Sequence, residues 1–319
     1  MRYDVSAYGE MGLRLKTKRG ESLAKAETFD VEIVGSEFNV VSNVTSLGHR
    51  VGLMSAVPSN ALGQRILHAC RQNNVGTELI EISEIHHRAG VYFAETMVEP
   101  RVSQVLFDRK DSAFSQHHPS STIVDQLLDS RIIFLTGITA ALSPITRETT
   151  FLLAREARSR NVKVCVDTNF RSRLWSVAEA SETLRELVSL ADICIAPTRD
   201  IEALFAGSTD PIENARLMSQ LSPAETICVT DGARGAYLLR DGTVLHEPAL
   251  VVEIVDRLGA GDAFAAGVLH SLLTQKDEST LTFGTSMAAV ALSSNGEQVS
   301  ISARELDSIC QKTNPDVLR

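Results

Sequence analysis

The sequence predicts an α/β fold built on a mainly parallel sheet with helices on both faces. Two observations carry that expectation. From about residue 120, short apolar runs alternate with helix-length stretches, and at this spacing the alternation makes βαβ units. Ahead of them lie runs that alternate between apolar and polar positions, the pattern of strands with one face in water.

Residues 3–34 alternate in this way, with turn signals near 18–22, and read as antiparallel strands. Gly35 opens a helical stretch that Gly48 ends. Residues 51–57 read as a strand, 63–74 as a helix and 79–82 as extended. The runs 91–95 and 102–108, separated by Glu99-Pro100-Arg101, read as a hairpin. Helices at 121–129, 144–160, 178–190, 199–206 and 211–220 interleave with strands at 132–136, 162–167, 193–196 and 226–230. A small antiparallel stretch spans 236–255, and two helices, about 261–275 and 280–294, close the chain. In open parallel sheets, ligands bind beyond the carboxyl ends of the strands. Thr136, Asp167 and Thr230 stand at such ends, so chemistry is expected there.

Composition bounds the function. The 319 residues are 44% hydrophobic, enough for a large core, and the net charge is -9. A phosphate-backbone binder needs a basic face, so no nucleic-acid partner is expected. The first twenty residues show no secretory pattern and no run of 18 apolar residues occurs, so no membrane partner is expected. Five cysteines, at 70, 165, 194, 228 and 310, form no CxxC and read as buried reduced thiols of a cytoplasmic protein. The pairs His86-His87 and His117-His118 suggest metal at first sight. Neighbours on a strand point to opposite faces, so they read as solvated loop histidines instead.

The most informative stretch runs from Asp256 to Gly267. A glycine-rich turn, Gly259-Ala260-Gly261, leads straight into a helix with Asp262 in its first turn. Free amides at a helix start favour anionic oxygens, and glycines let the backbone approach a phosphate. A carboxylate beside such an anion hole can take a hydroxyl proton while the amides hold the charge that develops. A Rossmann fingerprint fails, because Phe264 stands where its third glycine belongs, and no Walker A loop exists. A second cluster, Asp167 to Trp175, leaves a strand end: Asn169 can donate to phosphates, and Arg171 can pair with a carboxylate or phosphate. Trp175 reads as packing beneath that loop. A third cluster, Thr230 to Ala236 with Gly232 and Gly235, is a strand-end turn suited to nucleotide phosphates.

Taken together these clusters resemble the ribokinase-like (PfkB) carbohydrate kinases over nearly the whole chain. Within them the sequence is most similar to 2-keto-3-deoxygluconate kinases, through Asp167-Thr168-Asn169-Phe170-Arg171-Ser172-Arg173-Leu174-Trp175, Phe107-Asp108-Arg109-Lys110-Asp111-Ser112-Ala113 and Asp256-Arg257-Leu258. The resemblance implies a single domain over 1–319, a three-layer α/β/α sandwich with a β lid from about 8–32 and 88–112. It implies an ATP-dependent kinase in which Asp262 is the base and Gly259, Ala260 and Gly261 hold the transferring phosphoryl group. Gly35, Asn39, Tyr92, Phe107, Arg109 and Arg171 would line the sugar pocket, the two arginines suiting a sugar-acid carboxylate. Asn169, Thr230, Gly232, Gly235, Ala288 and Asn295 would face ATP. Mg²⁺ would be held through water by Asp200 and Glu202, and a monovalent cation is a further candidate. A homodimer or higher homo-oligomer is expected. A neutral-sugar kinase and a sugar-binding regulator on the same scaffold are the alternatives.

The chain departs from that pattern at four places. The early glycine pair is Gly35-Ser36. Phe107 stands for an aromatic hydroxyl of the lid. Thr198 and Ile201 occupy the places of an N-x-x-E motif. Asn60 replaces an aspartate after the early strand.

Overall fold

A computed structural model describes residues 1–98 and 100–311. The strands are β1 (Tyr3–Tyr8), β2 (Gly12–Lys16), β3 (Asp30–Val34), β4 (Val51–Pro58), β5 (Ile80–Ser83), β6 (Gly90–Glu95), β7 (Gln104–Asp108), β8 (Ser130–Thr136), β9 (Lys163–Asp167), β10 (Ile193–Pro197), β11 (Thr226–Thr230), β12 (Ala236–Arg240) and β13 (Thr243–Glu247). Nine of them form one sheet in the order β13-β12-β11-β10-β9-β8-β1-β4-β5. It is parallel from β11 to β5, and β12 and β13 add an antiparallel edge.

Side chains alternate across this sheet and build a core on each face. Phe134, Cys165, Ile195 and Cys228 face helices Ser36–Ser46, Ala61–Gln72, Ala260–Leu273 and Thr280–Leu292. Ile133, Val164, Val166, Cys194 and Val229 face helices Pro144–Ser159, Val177–Val188, Thr198–Phe205 and Pro211–Leu221. Strands covered on both sides are apolar on both faces through their middles, which explains the continuous runs. Their cysteines are free and buried; Cys70 is also buried, and Cys310 is half-buried.

The second sheet has four strands, in the order β3-β2-β6-β7. β2–β3 and β6–β7 pair antiparallel, while β2–β6 pair in parallel. Two expectations need correction, and a third is met. Residues 3–8 belong to the centre of the main sheet, parallel to β4 and β8, because both of their faces are buried. The expected hairpin at 91–108 forms, although Glu99 of its connection lies outside the described residues. A third closing helix, Ala303–Cys310, follows the two expected ones; Ser302 caps it by accepting from the Glu305 amide.

The order of the strands reverses between β1 and β8, which opens a crevice at the carboxyl ends of the sheet. Helix Ser36–Ser46 packs against helix Ala260–Leu273 beside it, and the small sheet stands over it. Among the described residues no helix is long and apolar enough to cross a membrane.

Candidate active site

The crevice holds a cavity of about 920 Å³. Its walls come from the ends of β9 and β10, from the small sheet, and from the turn that starts helix Ala260–Leu273. Gly35, Tyr92, Phe107, Arg109, Asn169, Arg171, Asp200 and the run from Gly259 to Asp262 all line it.

The turn at Gly259 has φ +84°, the left-handed region, and a β-carbon there would sit 2.8 Å from the Glu297 backbone. Glycine is therefore required twice over. The first intrahelical bond is donated by the Ala263 amide to Gly259 O (2.9 Å). The amides of Ala260, Gly261 and Asp262 precede it, so they are the orphan donors of the helix start. At Gly261 an added β-carbon would meet open space.

Asp262 is gripped at both oxygens. The Ser36 hydroxyl donates to Oδ1 (2.7 Å), and Asn39 Nδ2 donates to Oδ2 (2.7 Å). A carboxylate oxygen accepts two hydrogen bonds, so each retains capacity for a substrate hydroxyl. Asn169 Nδ2 donates in turn to Ser36 Oγ (2.8 Å). Loss of hydration pushes the Asp262 carboxyl up to about 7, against the opposing pull of those two donors. That value suits a base working near neutrality. Asp167, buried at the end of β9, is pushed up to about 8 by desolvation and then by the neighbouring charges of Asp262 and Asp200.

The cavity is rich in guanidinium groups. Arg109, Arg171, Arg173, Arg199 and Arg257 line it beside the carboxyl groups of Asp167, Asp200, Asp262 and Glu297, so guanidinium donors are at hand for an anionic ligand. Arg109 Nε donates to buried Glu10 (2.5 Å), whose other oxygen accepts from the Ser112 hydroxyl. Tyr92 and Phe107 pack side by side at 5.6 Å. The Tyr92 hydroxyl donates to Glu297 Oε1 (2.6 Å), so this pair offers the cavity mainly its rings.

Several predicted residues lie elsewhere. Asn39, expected on the sugar wall, is fully buried and supports Asp262 from behind. Thr230, Gly232 and Gly235 form a separate shelf after β11 and do not line the cavity. Nor do Ala288, half-buried on helix Thr280–Leu292, or Asn295, exposed just past that helix. Asp200 is buried, and its Oδ2 accepts from the Thr168 hydroxyl (2.9 Å) and the Phe170 amide (3.0 Å). Glu202 is exposed and does not line the cavity. Asn60 caps helix Ala61–Gln72. His117 is half-buried against Glu81 (2.5 Å) rather than solvated, and Trp175 is buried. Sequence reasoning did not single out Ser36, Glu297 or Arg14 as partners of the base. Glu297 lies far along the chain from Asp262, and no local spacing links the two.

Residues 3–304 match the pfkB family of carbohydrate kinases. This chain belongs to the PfkB carbohydrate kinase family. A relative from Haloferax volcanii, a 2-dehydro-3-deoxygalactonokinase, is 30% identical over 97% of both chains. A 2-dehydro-3-deoxygluconokinase of Bacillus subtilis is 27% identical over 96% of this chain and 94% of its own. The crystal structure of 2-dehydro-3-deoxygluconokinase from Thermotoga maritima superposes with a TM-score of 0.89 at 25% identity, covering 96% of this chain and 99% of that one. The PfkB fold, a large and mostly parallel sheet with a smaller sheet beside it, is thus common to this chain and its relatives.

Proposed function

We propose that this PfkB kinase transfers the γ-phosphoryl group of ATP to the primary hydroxyl of a 2-keto-3-deoxy sugar acid, with 2-keto-3-deoxygluconate going to its 6-phosphate. The observation that carries the reading is the convergence of Asp262 and the orphan amides of its helix on one arginine-rich cavity. Asp262 takes the hydroxyl proton, and the freed oxygen attacks the γ-phosphorus in line. The amides at Ala260 and Gly261 hold charge developing on the phosphoryl oxygens. Arg109 and Arg171 receive the sugar-acid carboxylate, and the rings of Tyr92 and Phe107 flank the deoxygenated carbon. The shelf of Thr230, Gly232 and Gly235, with Ala288 and Asn295, takes the nucleotide, and the small sheet excludes water.

Mg²⁺ fits this donor set through its hydration shell. Asp200 already accepts two protein hydrogen bonds on one oxygen, and Arg199 lies 3.5 Å from the other. Such a carboxylate suits a water-mediated hold on an ion that keeps most of its waters. When bound, the ion supplies charge neutralisation on the phosphate oxygens. The name of the Haloferax relative favours the galactonate epimer as a second reading.

The test is an acceptor panel read as ADP formation. Both 2-keto-3-deoxy acids should exceed fructose and ribose in kcat/KM. Arg171→Ala should cost the acids at least about tenfold more than it costs the neutral sugars, since a charge-assisted pair is lost only for the acids. Equal losses on both would remove the carboxylate assignment.

A further inference from the structure

The side of Asp262 away from the cleft carries a buried chain of charge that reaches the small sheet. Asn39 Nδ2 donates to Asp262 Oδ2 (2.7 Å) and also to Glu297 Oε2 (2.8 Å). One amide nitrogen thus holds two carboxylates about 5 Å apart, as its two N–H directions require. The orientation of the amide is fixed, because Asn39 Oδ1 accepts from the Gly35 amide (3.4 Å) and from Gln298 Nε2. Glu297 Oε1 accepts from Arg14 (2.8 Å) and from the Tyr92 hydroxyl (2.6 Å).

Arg14 comes from β2 and its side chain is wholly buried. Its other terminal nitrogen meets Glu32 of β3 and Asp256 (3.3 Å), and Lys16 lies 3.4 and 3.5 Å from the same two carboxylates. A buried guanidinium is tolerated only when paired, here through both terminal nitrogens. The arrangement ties β2, β3 and β6 to the segment before the glycine turn and to the residue on which Gly259 rests.

We infer that Glu297, balanced by Arg14, is a positioning residue that holds Asn39 against Asp262 and makes the readiness of the base depend on the seating of the small sheet. The inference rests on the assignment of Asp262 as base. The charged groups facing Asp262 are Glu297, which favours its protonated form, Arg171, which opposes that, and Asp167. If the small sheet moves away, Arg14 leaves with it, and Glu297 stands uncompensated beside Asp262. The base then holds its proton more tightly until the sheet returns.

The test is the pH dependence of kcat/KM for sugar phosphorylation in the full chain. In Glu297→Gln the acid limb should fall by about one pH unit, because a like charge has been removed from Asp262. In Arg14→Met the limb should rise by a similar amount, and in the double variant that rise should vanish. Sugar KM should change less than kcat. A merely structural role would lower kcat at every pH and leave the limb in place. An unmoved limb in Glu297→Gln overturns the inference, even where Arg14→Met fails to fold. Asp262→Asn separates the two readings. If that variant keeps its turnover, the base assignment fails; if it is inactive while Glu297→Gln leaves the limb in place, only the coupling fails.

Discussion

Ser36 offers a prediction whose size follows from the geometry. Its hydroxyl donates to Asp262 Oδ1 at 2.7 Å, and its oxygen accepts from Asn169 at 2.8 Å. Ser36→Ala removes the donor that favours the ionised carboxylate and leaves the carbon frame in place. A hydrogen bond to a charged group contributes about 1.5 kcal/mol or more, roughly one pKa unit. Asp262, at about 7 in the intact site, would move to about 8. At pH 7 the ionised fraction would drop from about a half to about a tenth, so kcat/KM should fall roughly fivefold. At pH 9 the loss should be less than about twofold, because both forms are then mostly ionised. Initial rates of ADP release between pH 6 and pH 9 measure this directly. A loss of equal size at pH 7 and pH 9, or a limb that moves to lower pH, would rule out this role for Ser36.

Two further predictions follow from the same neighbourhood. Gly259→Ala forces a β-carbon to 2.8 Å from the Glu297 backbone at φ +84°; turnover should fall at least about tenfold and thermal denaturation should show a lower Tm, whereas an unchanged Tm would contradict the strain. Asp167 holds a proton in the folded protein that the unfolded chain releases, since burial has raised it to about 8. Its contribution is fully present below about pH 4 and is lost as pH rises through about 8. Asp167→Asn has no such proton to lose, so its Tm relative to wild type should climb by several degrees between pH 5 and pH 9. A difference that stays constant with pH would refute it.

Much of this protein was legible in the sequence because its cause is local. The strands β8 to β11 are apolar on both faces through their middles, and only burial on both faces requires that. The turn at Gly259 was legible because left-handed backbone and close approach leave glycine few substitutes. The strand β1 was misread because Tyr3–Tyr8 is short, and its neighbours decide whether polar positions such as Ser6 are buried. Ser6 lies beside β8 in the same sheet, and its hydroxyl meets that of Ser130 (2.8 Å). The support behind Asp262 stayed hidden for a related reason. Arg14, Asn39 and Glu297 converge from distant parts of the chain, and only the tertiary packing shows that their charges balance. Asn39 illustrates the limit most clearly. Its place in the early motif was visible, but not the direction of its amide, which points away from the sugar wall and onto the base.

The most direct measurement is single-turnover phosphoryl transfer by Asp262→Asn with ATP, Mg²⁺ and 2-keto-3-deoxygluconate. Asparagine keeps the shape; its one oxygen can still accept from Asn39 while its amide donates to the Ser36 oxygen, but it cannot take a proton. The expected rate is at least about 100-fold below wild type, with sugar binding little changed. Transfer at near wild-type speed would mean that the proton leaves by another route and that Asp262 is not the base.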